Sequence, residues 1–329
     1  MTGTPEGVEL DAVRRAMLGA GVDALVLRPS PDFRFLGGRG GGYLVLTTDG
    51  PPVETADPAA LVPPRARRVG VDDEMRVREL FGLAVDAELV PASAVLAPLR
   101  LRKQPHEVAA IGRAAAAAEA VLTVARELAW FGTTERAMAH RFRMLLVETG
   151  CEEVVSVVIA AGEHTALPGH LPSDRVINPG DALLVSVCGR WDGFCAEVAR
   201  VFAVAEPPED FEAMYSVVLS AQQAALDSVR PGVAAADVAR AAREVIEESG
   251  YGRYAAPHLG RGVGRGHDEG PWLGAPDQVV LGTGMTLCLE PAIRLPELFG
   301  ARVADVVACT PEGAALLSGS PRDLHVVEH

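Results

Sequence analysis

The chain has 329 residues, 49% of them hydrophobic and 22% charged, with a formal net charge of −14. That length suits two domains, and the composition suits a globular chain with a large core. The acidic balance argues against nucleic acid as a partner. No secretion signal and no apolar run of the roughly 18 residues that a membrane helix needs is evident, so a cytoplasmic location without membrane contact is expected.

In chain order, Val8, Val13, Met17 and Leu18 recur at helical spacing and predict a helix over residues 1–20, stopped by Gly21. Val22–Leu27 reads as a buried strand, broken by Pro29-Ser30-Pro31. The glycine run 37–42 contains Arg39 but lacks the pattern of a phosphate loop, and no helix follows it. A hairpin over Tyr43–Val53, a strand at Arg68–Val71 and a helix at Val77–Leu83 complete a small α/β domain over residues 1–100.

An alanine-rich helix is expected over Pro105–Trp130, and a second from an N-cap at Thr133 to about Thr149. A strand at Val154–Ala161 leads into a loop holding His164 and His170. Next come two apolar strands, Leu183–Cys188 and Phe194–Val204, joined by a turn over residues 189–193. Ser186 and Glu197 sit in mid-strand there. A carboxylate in an apolar strand is costly to bury unless it is paired or does chemistry, although one face of an antiparallel pair is often wet. Helices at Pro208–Arg230 and Ala234–Ser249 precede a long glycine-rich loop, Gly250–Pro276, carrying Arg261, His267, Asp268 and Glu269. Strands at Met285–Leu289, Ala301–Val307 and Leu324–Val327 close the chain. Helix, helix, strands thus occurs twice, a rough internal two-fold. The five cysteines, Cys151, Cys188, Cys195, Cys288 and Cys309, have no CxxC spacing and read as reduced core thiols.

One ordered series of short motifs runs through residues 100–310. Its members are Leu101-Arg-Lys-X-Pro-X-Glu107, Gly162-X-X-X-Ala-Leu-Pro168, Asn178-Pro-Gly-Asp181, Gly193-Phe-X-X-Glu-X-X-Arg200, Gly262-Val-Gly264, Glu269-Gly-Pro271, Gly284-Met-X-X-X-Leu-Glu-Pro291 and Arg302-Val-X-Asp305. In this series the chain resembles the pita-bread enzymes: aminopeptidase P, prolidase, methionine aminopeptidase and creatinase. The resemblance implies an α+β fold, with a pita-bread catalytic-type domain over residues 101–329 behind the smaller N-terminal α/β domain. It also implies a homodimer and a small-molecule substrate.

Metal-dependent members of that family hold two ions with two Asp, one His and two Glu. On this chain those positions carry Ser186, Glu197, Arg261, Glu290 and Ala304. Serine is a poor ligand, alanine is none, and a guanidinium stays protonated. Two carboxylates do not hold a pair of divalent ions by themselves, so no metal and no other cofactor is expected. Arg261 would instead place a fixed charge beside Glu197 and Glu290. Two family histidines fall on Gly169 and Asp268, with His170 and His267 each one residue away.

The expectation is therefore a metal-independent, creatinase-like hydrolase or lyase acting on a C–N bond of a small zwitterion. Glu290, Glu197, His170 and His267 would be catalytic. The substrate would be held by Arg261, Asp268, Glu269, Arg39, Ser186 and Asp305, with Arg261 or Arg39 clamping its carboxylate and Asp305 acting as a structural acceptor beside the site. A non-catalytic binding module is the alternative, and a metal-dependent Xaa-Pro peptidase the third reading.

Overall fold

The computed structural model describes residues 10–274 and 279–327. Val8 of the first expected helix, and Ala275 and Pro276 of the long loop, lie outside the described residues. The chain divides after Leu101 into two compact units.

The first unit runs α1 (Leu10–Ala20), β1 (Ala24–Leu27), α2 (Pro31–Phe35), β2 (Tyr43–Thr47), β3 (Val53–Thr55), β4 (Arg68–Val71), α3 (Val77–Leu83), β5 (Glu88–Pro91) and α4 (Ser93–Arg100). Its sheet has the order β3-β2-β1-β4-β5, with β1 antiparallel to β2 and parallel to β4. Alternation along the strands explains the two-sided core. Leu25 and Leu27 join Val13, Met17, Val95 and Leu96 of the helices on one face, while Val26 joins Val45, Val69 and Leu83 on the other. The Pro31 stretch, a break by sequence, nucleates α2, because Ser30 accepts the Phe33 amide as an N-cap.

The second unit runs α5 (Pro105–Val124), α6 (Glu135–Glu148), β6 (Glu153–Ala161), β7 (Ala182–Trp191), β8 (Phe194–Val204), α7 (Phe211–Ser228) and α8 (Ala235–Glu248). It continues through β9 (Gly260–Gly262), β10 (Glu269–Leu273), β11 (Thr286–Leu289), β12 (Ala292–Leu295), β13 (Phe299–Arg302), β14 (Asp305–Thr310), β15 (Gly313–Leu316) and β16 (His325–Val327). These strands form sheets ordered β16-β8-β7-β6, β10-β9-β11-β14-β15 and β12-β13. Backbone bonds exchanged between Ala199 and Ala304 tie the first sheet to the segment joining β13 and β14.

Three local differences from the sequence reading have plain causes. The β7–β8 turn shrinks to Asp192-Gly193, both at positive φ (49° and 76°), as a two-residue hairpin turn requires. The N-cap of α6 is Thr134, whose hydroxyl accepts the Ala137 amide at 3.2 Å. The expected strand Ala301–Val307 splits, because its two ends belong to different sheets.

Helix α5 with the 3-10 turn that follows it, Pro105–Glu127, is long and apolar enough to cross a membrane, contrary to the sequence reading. Its Ala110, Ile111, Ala114, Ala115, Ala118, Val121 and Leu122 are buried at helical spacing, and it packs on β7 and β8. The small alanines permit that close approach, which makes it the core helix of this unit. With α5 on one face and β13 and β14 on the other, every residue of β7 and β8 is buried. The wet face that would have accommodated Glu197 does not exist.

Candidate active site

A cleft of about 400 Å³ opens in the second unit. Its wall includes Glu197 of β8, Arg261 of β9, Glu290 at the end of β11, Arg302 of β13, and His170, His267 and Asp268 from loops. The register places Arg261 opposite Cys288, and the neighbouring glycines make room for it. A Cβ on Gly260 would fall 2.0 Å from the Cys288 carbonyl oxygen, and one on Gly262 would fall 2.0 Å from that of Gly270. Only glycines on both sides let three strands close up around the arginine.

Four side chains form a closed ring of charge. Arg261 donates from Nη2 to Glu197 Oε2 at 2.5 Å and from Nη1 to Glu290 Oε1. Arg302 forms an ion pair from Nη2 with Glu197 Oε1 at 2.9 Å and donates from Nη1 to Glu290 Oε2 at 2.6 Å. Each guanidinium thus joins both carboxylates. Ser186 adds a hydroxyl to Glu197 Oε1 at 2.8 Å. Burial pushes the Glu197 carboxyl upward, but the Arg302 charge, the His267 hydrogen bond and the Arg261 charge outweigh it and hold it well below the ordinary range. Burial alone would favour proton loss from both arginines. The charge of Glu197, joined by that of Glu290, reverses this and keeps them cationic.

His267 lies between two acceptors, with Nε2 2.9 Å from Glu197 Oε2 and Nδ1 3.1 Å from Asp268 Oδ1. Burial works against its charged form, as does Arg261, whose Nη2 is 2.5 Å from the same Nε2. Hydrogen bonds to Asp268 and Glu197 prevail and raise its pKa to about 9. Near neutrality this ring is an imidazolium. Asp268 is lowered first by that hydrogen bond and also forms an ion pair with Arg261.

His170 is positioned differently. Its Nε2 donates to Glu135 Oε2 at 2.8 Å. Glu135, fully buried at the start of α6, also accepts the Ala161 and Ser173 amides, the Ser173 hydroxyl and His164 Nδ1. Burial raises the Glu135 carboxyl, and the Ser173, Ala161 and His170 bonds more than compensate. Glu135, His164 and His170 bring ligand-type atoms within 4.8 Å of one another. With the carboxylate already holding three other donors, the two rings act as further hydrogen-bond donors to it.

The structure brings Glu197, Glu290, Arg261, His170, His267 and Asp268 to one cleft. Three expected substrate contacts, Ser186, Glu269 and Asp305, lie outside the lining of the cleft. Ser186 is fully buried behind Glu197. Glu269 is buried in an ion pair with Lys103 at 3.0 Å and accepts the Gly266 amide. Asp305 is fully buried and held by Arg200, Gln222 and Arg322. Arg39 belongs to the first unit, on an exposed loop whose amide donates to Glu54. Arg261 is engaged throughout as the counter-ion of the ring and has no fork left for a substrate carboxylate.

Sequence reasoning passed over Arg302, Arg294 and Glu135. On the strand expected over residues 301–307, positions 302 and 304 fall on one face, so an arginine two places before Ala304 is a readable signal. Glu135 was hidden in what reads as a helix start.

The five positions where a pair of metal ions would be held do not fit one. Ser186 donates its hydroxyl to Glu197, Ala304 offers a methyl group, and Arg261 is a fixed cation. Both remaining carboxylates are neutralised by guanidiniums. Two divalent ions here would face two arginines at contact distance.

The profile of metallopeptidase family M24 matches residues 109–311. A probable dipeptidase PepE of Mycobacterium tuberculosis is 35% identical over 260 residues, covering 78% of this chain and 69% of that one. Among solved structures, a dipeptidase from Pyrococcus horikoshii superposes with a TM-score of 0.90 at 26% identity, covering 97% of this chain and all of the other. Dipeptidase PepE from Mycobacterium ulcerans does so with a TM-score of 0.88 at 31% identity, covering 97% of both chains.

Proposed function

The chain belongs to metallopeptidase family M24, and from that premise we propose that it is a hydrolase that cleaves a C–N bond of a small amino-acid-derived substrate without a dinuclear metal centre. One observation carries this reading. The ring of Arg261, Glu197, Arg302 and Glu290 closes on itself where the family's ions would be held.

The chemistry then falls to this chain's own groups. His170, donating Nε2–H to Glu135, keeps Nδ1 as an acceptor, the arrangement of a base oriented by a carboxylate. It takes a proton from water as the water oxygen bonds to the substrate carbonyl carbon. The positive charge of Arg302, which lines the cleft, stabilises through space the negative charge that develops on the carbonyl oxygen. His267, protonated near neutrality, gives a proton to the nitrogen as the C–N bond breaks. Solvent returns one proton to His267 and removes one from His170.

The relatives' dipeptidase names make dipeptides and N-acyl amino acids the first compounds to assay. Turnover that persists in excess chelator, and that falls at least about 100-fold in His170→Gln and His267→Gln, is the expected result. Turnover abolished by chelator and restored by Mn²⁺ or Co²⁺ would refute it. A second reading, a binding module without turnover, is favoured by the same ring, since neither carboxylate in it is free to activate water. Its signature is ligand binding with no hydrolysis of any small amide. The homodimer implied by the resemblance is part of the proposal and is read by sedimentation.

A further inference from the structure

Three guanidiniums line the cleft, and two of them close the ring. The third, Arg294, does not. Extended chain from Glu290 through β12 turns alternate residues to one side, and Glu290, Ala292 and Arg294 all face the cavity. Arg294 is half-buried, and its side chain forms no hydrogen bond or ion pair among the described residues. Burial, and then the charge of Arg302, press against its protonated form, with Glu290 opposing. A guanidinium under that pressure remains charged, and among the described residues it lacks a partner.

The charges of the wall agree. Arg261, Arg294, Arg302 and the imidazolium of His267 face Glu197, Glu290 and Asp268, which leaves one positive charge in excess. Glu197 is already held by Ser186, Arg261 and His267 through hydrogen bonds and by Arg302 through an ion pair, and both oxygens of Glu290 carry an arginine. Asp268 is paired with Arg261 and His267, so among the described residues of the wall every carboxylate already has a cationic partner. One excess charge matches a carboxylate, whereas a phosphate brings roughly −1.5 to −2 near neutrality.

We propose that Arg294 is the anchor for the carboxylate of a small monoanionic ligand, and that the cleft takes amino acids whose amine is acylated rather than free. This rests on the reading of the cleft as the substrate site and narrows its substrate class. It also moves the carboxylate clamp from Arg261 to Arg294.

The test is calorimetric titration of the full chain with N-acetylalanine, N-acetylalaninamide, free alanine and inorganic phosphate. N-acetylalanine is expected to bind at least about 10-fold more tightly than its amide, the worth of one charge-assisted hydrogen bond. It should also exceed free alanine and phosphate. Arg294→Gln should erase the preference for the acid, and Arg294→Lys should keep part of it, with unchanged unfolding curves showing both variants folded. Equal binding of acid and amide, no binding of either, a preference that survives in Arg294→Gln, or tighter binding of phosphate or free alanine would overturn the proposal. Acid-selective binding without turnover refutes the hydrolase and leaves the anchor. Turnover of amides indifferent to a carboxylate refutes the anchor and leaves the hydrolase.

Discussion

Replacing His267 by glutamine removes a charge that the fold itself holds in place. Its two ring nitrogens lie 2.9 Å from Glu197 and 3.1 Å from Asp268, and its pKa rises from 6.5 to about 9. At 1.36 kcal/mol per pH unit, that displacement corresponds to about 3 kcal/mol of stability. The sign follows from proton binding. Between the two values the folded state holds a proton that the unfolded state has released, so stability falls as pH rises. The contribution is complete below about pH 6.5 and lost once pH passes about 9. The assay is urea unfolding from about pH 6 to about pH 9.5, comparing the parent chain with His267→Gln. The parent should lose about 3 kcal/mol more than the variant across that window. The buried thiols Cys188 and Cys288, pushed far upward by burial, destabilise in the same direction only near the top of the range. They are common to both chains and cancel in the difference. Parallel profiles would show that the imidazole is not held between its two carboxylates, and the assignment of His267 as the acid would fall with it.

Four further outcomes are expected. Arg302→Met opens the ring and leaves Glu197 short of a counter-charge, so denaturant unfolding should show a loss of about 3–5 kcal/mol. Adding Glu197→Gln should recover part of it, and strict additivity would refute the coupling. The parent chain, purified without chelator, should contain no stoichiometric Mn, Co or Zn by elemental analysis. A variant combining Ser186→Asp, Glu197→Asp, Arg261→His and Ala304→Glu should gain a Mn²⁺- or Co²⁺-dependent rise in melting temperature that the parent lacks. Gly260→Ala drives a methyl to 2.0 Å from the Cys288 carbonyl oxygen at φ 153°, and should cost more than about 3 kcal/mol or abolish soluble expression. A variant of near-parental stability would mean that β9 does not run so close to β11.

The fold was legible because it is written in local terms. Apolar runs between glycines marked β1 and the β7–β8 hairpin, and alanines at helical spacing marked α5. The ordered motifs then carried these elements to one architecture. The lost ligand set was legible for the same reason: a serine, an arginine and an alanine at three fixed positions state their chemistry without coordinates. What the sequence withheld was partnership. Nothing in Glu269 or Asp305 distinguishes a cleft residue from one locked to Lys103 or to Arg200 and Arg322, since both are acids in glycine-flanked or apolar surroundings. Arg261 and Arg294 are likewise the same residue type, each on a strand near Glu290, yet one is surrounded by acceptors and the other has none among the described residues. That difference arises only when β8, β9, β11 and β13 converge from distant parts of the chain. A guanidinium becomes structural where carboxylates from several strands meet it, and becomes available to a ligand where none does. The ring therefore explains both the missing metal ligands and why the recognition of an anion passes to Arg294.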